Sequence, residues 1–251
     1  RLLIRTTRHM SLTDFGHALL EHAQQVVQEV SAAWALSERR KLEPSGRLRV
    51  SIPGDFANVF LVEMLAAFAA LHPAVELELD LSSRRVDLLA EGFDLAVRIG
   101  DLDDDGLLVG RKLAQMGSGL YASTEYVRNK GEPQTPDDLL QHQALLLRGA
   151  RGQAQCWQLE CDGHSWQQQV PCRIRANTPD LLMHLACHDA GIVALPHCFA
   201  RPALQAGRLQ RVLPDWSLPA ASVWALYPGR RLLPSKTRAF IDMLGVALHT
   251  L

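Results

Sequence analysis

The sequence lacks the uninterrupted apolar run of about 20 residues that a membrane-spanning helix requires. Charged or polar residues interrupt each apolar stretch well before that length. The first 20 residues also lack the apolar core of a secretory signal, because Arg1, Arg5 and Arg8 lead into a mixed stretch. The sequence therefore predicts a cytoplasmic protein with no membrane partner.

Cysteine is scarce and odd in number, with five residues among 251. Such usage favours reduced thiols over a disulfide framework. The chain also has no glycine-rich phosphate loop and no nucleophile elbow. His184 and His188 are one helical turn apart, but they lack the further ligands that make a metal signal strong. We expect no enzymatic activity, no cofactor and no metal.

The overall composition is that of a globular protein, with 47% apolar and 21% charged residues. The formal charge of −1 hides an asymmetry between the two ends of the chain. Residues 1–49 hold eight bases and five acids, whereas the remainder holds 18 bases and 22 acids. The basic end suggests a contact with a polyanion at the N-terminus, although chance gives the same imbalance about as often.

The N-terminal region predicts a strand over residues 2–8 followed by a long helix, with Ser11 or Thr13 as its cap. The helix extends to about residue 42 and ends in a Pro-Ser-Gly linker. Apolar residues along it follow alternating steps of three and four: Leu20, Ala23, Val27, Val30 and Trp34. The stripe is narrow, which favours a dimerising helix over the alternative, a core helix of one globular unit.

Beyond the linker, strands and helices alternate. This order predicts a parallel sheet with helices on its faces. We expect the first strands at 47–52, 75–81 and 94–99, the helices between them at 56–71 and 84–91, and further strands near 106–113 and 117–123. A hairpin is expected over 156–170, turning at Asp162-Gly163.

A second α/β half is expected between about 121 and 220, and the last strand and helix can return to the first half. Two such halves joined by two crossings form a clamshell. The cleft between them is the expected ligand site, since ligands of open α/β units bind at the carboxyl ends of strands.

Several segments together resemble LysR-type transcriptional regulators. The similar segments are Arg5 to Gly16 (RTTRHMSLTDFG), Gly46 to Ser51 (GRLRVS), Arg84 to Leu88 (RRVDL), Glu91 to Gly100 (EGFDLAVRIG), Tyr121 to Ser123 (YAS), Gly191 to Pro196 (GIVALP), Arg211 to Trp216 (RVLPDW) and Arg238 to Asp242 (RAFID). Each segment alone is weakly specific, but their shared order and spacing cover essentially the whole chain.

The resemblance implies a winged helix-turn-helix, a dimerising linker helix and a two-lobed effector domain like a periplasmic binding protein. Residues 1–11 match the wing and residues 12–45 the linker helix and hinge. Residues 46–251 match the effector domain, with lobe I at 46–119 and 221–251 and lobe II at 120–220. The recognition helix is expected upstream of residue 1.

Site residues follow from the same resemblance. Arg5, Thr6, Thr7 and Arg8 match the basic tip of the wing and are expected to contact promoter DNA. The expected effector-binding residues are Asp55, Ser82, Arg98, Ile99, Asn177 and Thr178. Asp55 departs from the family, which often has Ser or Thr at this helix start. The chain is therefore expected to disfavour simple carboxylate effectors.

The leading hypothesis is thus a DNA-binding regulator, a homodimer or homotetramer, that senses a small molecule in the interlobe cleft. The alternative is a solute-binding protein of a transport system, which shares the clamshell. The missing signal peptide, the odd cysteines and the long helix argue against that alternative.

Overall fold

The computed structural model describes most of the chain. The described residues are 2–5, 10–13, 15–16, 18–20, 22–23, 26–27, 29, 43–84, 86–101, 108–148, 156–229 and 233–249.

The N-terminus forms an antiparallel hairpin of strands β1 (Leu3–Arg5) and β2 (Met10–Leu12). The described positions between 15 and 29 that follow it are helical, and we call this segment the N-terminal helix. The amide of Gly16 donates to Oγ1 of Thr13 at 2.9 Å, which confirms Thr13 as a capping residue. Strand β2 was not predicted, because its three residues lie within the motif that links strand and helix.

A nine-stranded sheet forms the body of the described chain. Its strands are β3 (Gly46–Ser51), β4 (Val75–Asp80), β5 (Leu95–Ile99), β6 (Leu108–Ala122), β7 (Ala144–Leu147), β10 (Cys172–Ala176), β11 (Ile192–Pro196), β12 (Gln210–Val212) and β13 (Leu218–Pro228). They are arranged in the order β10-β7-β11-β6-β13-β5-β3-β4, with β12 paired to β6. A separate hairpin consists of β8 (Trp157–Cys161) and β9 (His164–Gln168).

Helices cover the faces of this sheet. They are α1 (Gly54–Leu71), α2 (Thr124–Lys130), the 3-10 helix Pro136–Gln141, α3 (Pro179–Cys187), α4 (His197–Gln205) and α5 (Ser235–Ala247). Within α1, residues Ala57–Leu61 form a π-helical segment.

Helix α1 is the one described helix long and apolar enough to cross a membrane by length and composition, with a mean hydropathy of 1.6 over 18 residues. The structure gives its apolar side a different role. Phe56, Leu61 and Phe68 of α1 are fully buried in the core, and the ring of Phe68 packs edge-on against Phe240 of α5 at 4.9 Å. Burial of these side chains accounts for part of the apolar composition of α1, whereas Val59, Val62 and Leu71 of the same helix are exposed.

The predicted β-α-β order is confirmed, because β3 pairs in parallel with both β4 and β5. Strands β3, β4 and β5 with α1 and α5 are called the first half below. Strands β7, β10 and β11 with α2, α3 and α4 are called the second half; there β7 pairs in parallel with β10 and β11.

Two sequence predictions were wrong in detail. The strands expected near 106–113 and 117–123 are one 15-residue strand, β6, because β13, β11 and β12 provide partners along its length. The helix expected over 84–91 is a series of turns in the described residues. The Asp87 carboxylate accepts the amides of Leu89 and Ala90 there, which replaces helical hydrogen bonding.

Among the described residues, one aromatic contact joins the two halves. Phe199 of α4 is 3% exposed and belongs to the core cluster of the first half. Its ring meets the edge of the Phe60 ring of α1 at 4.9 Å. The second half has its own core clusters on the two faces of its strands, around Leu120 and Leu146 and around Tyr121 and Leu182.

Candidate functional site

The carboxyl ends of the three parallel strands of the first half meet at one edge of the sheet. Ser51 at the end of β3 lies opposite Asp80 at the end of β4 and next to Ala96 of β5. The predicted residues Asp55, Ser82, Arg98 and Ile99 belong to these strand ends or to the segments that follow them. The parallel sheet thus brings four of the predicted effector residues to one edge, where ligands of α/β folds bind.

Arg98 is held by a set of oxygen atoms at this edge. Its guanidinium donates to Oγ of Ser51 at 2.9 Å and to the carbonyl of Ser51 at 3.3 Å. It also donates to the carbonyls of Val97 at 2.7 Å and Arg84 at 3.0 Å. Sequence reasoning missed Ser51; the available signal was a polar residue at the end of an alternating strand, and its side chain is fully buried.

Asp55 lies in the first turn of α1. Its Oδ1 accepts the amide of Phe56 at 3.1 Å, whereas its Oδ2 is buried with no hydrogen-bond partner in the described structure. A Cβ atom on the preceding Gly54 would lie 3.3 Å from the carbonyl oxygen of Leu81, so the helix start packs tightly on the segment after β4. This packing places Asp55 beside the loop that carries Ser82.

Ser82 and its neighbours form a second polar group. The Ser82 hydroxyl donates to Oδ1 of Asp80 at 2.5 Å. Arg84 binds both carboxylate oxygens of Glu91, at 2.8 and 2.5 Å. The hydrogen bonds from Arg84 lower the pKa of Glu91 to about 2.

The second half presents its own strand ends. Asn177 and Thr178 follow β10, and Thr178 begins α3 without a side-chain capping hydrogen bond. The amide of Arg148, directly after β7, donates to the carbonyl of Ala176 at 2.7 Å, which sets Arg148 beside Asn177. Arg148 is exposed and was not among the predicted residues; a basic residue directly after a buried strand was the available signal.

The third strand end of this half carries His197, the first residue of α4. Its Nδ1 lies 2.5 Å from the hydroxyl of Tyr121, and its ring covers Gly117 and Gly119 of β6. Burial, with a contribution from the nearby charge of Arg211, lowers the pKa of His197. Burial raises the pKa of Tyr121. The imidazole is therefore neutral at physiological pH, and its Nδ1 is hydrogen-bonded to the Tyr121 hydroxyl.

The predicted DNA-binding and dimerisation residues are only partly described. Arg5 ends β1, while Thr6, Thr7 and Arg8 lie outside the described residues. Along the N-terminal helix, Leu20 is 42% and Val27 65% exposed, and Ala23 is also exposed. Val30 and Trp34 lie outside the described residues.

Metal-binding side chains do not converge in the described part of the chain, where no group of three His, Cys, Asp or Glu residues could hold an ion. The arrangement at the strand ends provides hydrogen-bond donors, acceptors and charges on both halves.

A two-lobed α/β fold with polar side chains at its strand ends defines a small-molecule-binding domain of the periplasmic-binding-protein type. Residues 41–248 match the sequence model of the LysR substrate binding domain. The chain belongs to the LysR family of transcriptional regulators.

Related proteins agree with this assignment. The chain is 32% identical over 252 residues to an HTH-type transcriptional regulator of Xanthomonas campestris, covering 99% of this chain and 73% of that protein. It is 35% identical over 246 residues to the regulator PtxR of Pseudomonas aeruginosa, covering 97% and 78%. These proteins are named transcriptional regulators, in line with the prediction of a regulator over a solute-binding protein.

Solved structures extend the similarity to the fold. CrgA, a LysR-type regulator of Neisseria meningitidis, is 29% identical with a TM-score of 0.73, covering 99% of this chain and 84% of that chain. Full-length AphB, a virulence activator of Vibrio cholerae, is 27% identical with a TM-score of 0.70, covering 97% and 83%.

Proposed function

We propose that this protein is a cytoplasmic, non-enzymatic regulator that binds promoter DNA as a homodimer or homotetramer and responds to a small molecule in its interlobe cleft. In this proposal, residues 1–11 belong to the wing and 12–45 to the linker helix and hinge. Residues 46–251 are the effector domain, with lobe I at 46–119 and 221–251 and lobe II at 120–220.

The observation that carries the proposal is the succession of three parts along the chain. A hairpin with a basic connection comes first, a helix with exposed apolar side chains follows, and a two-lobed domain with polar strand ends completes the chain. Each part suits one task of an effector-responsive regulator: contact with DNA, association of subunits, and ligand sensing.

Contact with DNA is assigned to Arg5, Thr6, Thr7 and Arg8. The antiparallel pairing of β1 with β2 supports this assignment, because residues 6–9 connect the two strands of the hairpin. Arginines at such a tip neutralise phosphates, which positions a protein on DNA without reading its sequence.

Effector binding is assigned to Asp55, Ser82, Arg98 and Ile99 on lobe I and to Asn177 and Thr178 on lobe II. Two observations support this assignment. The four residues of lobe I share one edge of the sheet, and the Arg98 side chain is held in place there by hydrogen bonds within the protein. Because its guanidinium is engaged by Ser51 and backbone carbonyls, we assign Arg98 to shaping the edge.

The test is the salt dependence of promoter binding by the full-length protein. The plot of log K against log salt has a negative slope. Replacement of Arg5 and Arg8 by alanine should make this slope less steep by about 0.9 for each phosphate that is no longer neutralised. Binding to promoter and random DNA should weaken by similar factors. Arg128→Ala, an exposed arginine on α2, is the matched control. An unchanged slope in the double variant, or no salt-dependent binding by the wild type, would contradict the proposal.

A further inference from the structure

The β1–β2 hairpin and the N-terminal helix meet at Thr13, which directly follows β2. The amide of Thr13 donates to the carbonyl of Leu2 at 3.1 Å, one position beyond the paired residues Leu3 and Leu12. Thr13 therefore ends the hydrogen-bond ladder of the hairpin. Its Oγ1 accepts the amide of Gly16 at 2.9 Å, so the same residue is also the N-cap of the helix.

The hydroxyl of Thr13 has hydrogen bonds on both sides of this junction. Besides accepting from Gly16, it donates to the carbonyl of Leu2 at 3.4 Å, which adds to the backbone bond to the same oxygen. A β-branched threonine has few χ1 rotamers. A threonine bonded in this way holds the first turn of the helix in one orientation relative to β1.

Burial differs between the first turn of the helix and the turns that follow. Gly16 is the one buried residue among the described positions between 15 and 29, whereas Phe15 is 67% and Leu19 44% exposed. Exposed apolar side chains of this kind mark an interaction surface. The helix is thus joined to the hairpin at its first turn and presents the apolar side chains of later turns to a second subunit.

We propose that Thr13 is a positioning residue for DNA binding, because it couples the direction of the N-terminal helix to the placement of the hairpin tip. In a dimer held together by these helices, the angle between helix and hairpin sets the separation of the two tips. A fixed separation lets both subunits bind two half-sites of one duplex without first being ordered. This inference rests on the proposed function and adds to it a residue that acts through the hairpin.

The experiment measures binding of the full-length protein to two DNA fragments. The first is a duplex with two half-sites, enriched from random-sequence DNA by the wild-type protein. The second is the same duplex with one half-site scrambled. Thr13→Val removes the hydroxyl at nearly constant volume, and Thr13→Ser retains it. Fluorescence anisotropy measures Kd over a series of salt concentrations, and sedimentation velocity measures the oligomeric state of each variant.

Thr13→Val should weaken binding to the two-site duplex by about five- to twentyfold, since loss of one N-cap shifts an equilibrium by up to about fivefold and the dimer has two. Binding to the one-site duplex should change by less than about twofold, because one hairpin can then follow its DNA independently of the other. The salt slope on the two-site duplex should stay that of the wild type, because the same phosphates are neutralised in the complex.

A change of half-site spacing provides a second readout. With an insertion of about two base pairs, wild type and Thr13→Ser should lose at least about tenfold in affinity, whereas Thr13→Val should lose about threefold or less, because a loose joint accommodates the new spacing. Thr124→Val is the matched control. It makes the same change at the exposed first residue of α2 and should match the wild type on every duplex.

The outcomes separate this inference from the proposed function. Wild-type affinity of Thr13→Val for the two-site duplex would overturn the inference, as would equal losses on both duplexes, which indicate a folding defect. A monomeric Thr13→Val, or a Thr13→Ser that behaves like Thr13→Val, would overturn it too. Each of these results leaves the proposed function in place, whereas a wild type without salt-dependent DNA binding would reject that function and the inference with it.

Discussion

At the residue scale, His142 shows how burial makes stability depend on pH. The side chain is buried, and its Nδ1 lies 3.2 Å from the hydroxyl of Tyr126. That hydroxyl also accepts the amide of Gln143 at 3.0 Å. Burial lowers the pKa of His142, partly opposed by Asp138 and reinforced by Lys130. The folded protein therefore holds this imidazole neutral.

We expect His142 to destabilise the folded state as the pH falls. Because the unfolded chain has the higher pKa, near 6.5, it binds more protons below that pH, and the free energy of unfolding decreases towards the folded pKa. Urea unfolding of wild type and His142→Gln between pH 8 and 5 measures the effect. The variant should lose this part of the pH dependence.

His164→Gln is the matched control for this prediction. His164 is exposed in the β8–β9 hairpin, so its replacement should leave the wild-type pH dependence in place. The same decrease in the urea midpoint for wild type and His142→Gln would show that another group carries it.

At the element scale, the N-terminal helix is explained best by a partner helix. Its described apolar residues include Phe15, Leu19, Leu20 and Val26, all exposed. Exposed apolar side chains in one helix indicate an interaction surface, since their burial stabilises an assembly by about 25 cal/mol per Å². The spacing of Leu20, Ala23 and Val27 is that of a coiled-coil seam.

We therefore expect the protein to be a dimer at micromolar concentration through this helix. Replacing Val27 and Val30 by glutamate places like charges in the seam and should cost about 3–5 kcal/mol, as unpaired buried charges do. Sedimentation velocity should then show a monomer. Gln24→Glu with Gln28→Glu adds the same charge at positions that the pattern turns outward, and this variant should stay dimeric. A monomeric wild type would rule out the seam.

At the scale of the whole molecule, the two halves are linked by packing as well as by strands. β6 and β13 pair with each other and carry partners from both halves. Phe199 adds a side-chain link, because it begins in the second half and is buried against Phe60 of the first. We therefore expect a change of packing in one half to affect the other.

We expect Phe199→Ala to lower the free energy of unfolding by about 3–5 kcal/mol, as for other buried phenylalanines. Amide exchange should quicken in α1 as well as in α4, since the Phe60 ring then has no aromatic partner on α4. Val246→Ala, at a site 79% exposed on α5, should change stability by less than about 0.5 kcal/mol. Faster exchange confined to α4 would show that this packing does not couple the halves.

Much of the fold followed from local patterns in the sequence. Alternation with a period of two located β3 and β4, because one side of each strand faces the core. The Asp-Gly turn of the β8–β9 hairpin was predicted because such a turn needs positive φ at both central residues, and Asp162 and Gly163 have φ of 47° and 80°. The family was identified from the resemblance of several segments to LysR-type regulators. Neither the strand alternation nor the turn motif indicates a family.

Tertiary structure decided what depends on partners distant in sequence. β6 is one strand, not two, because three strands supply hydrogen-bonding partners along it. Likewise, Ser51 binds Arg98 and Arg148 lies beside Asn177 only because parallel strands end at one edge. Local sequence sets the period and the turns of each element, but long-range pairing and burial set which residues meet. The burial of the unpaired Oδ2 of Asp55 belongs to that second category.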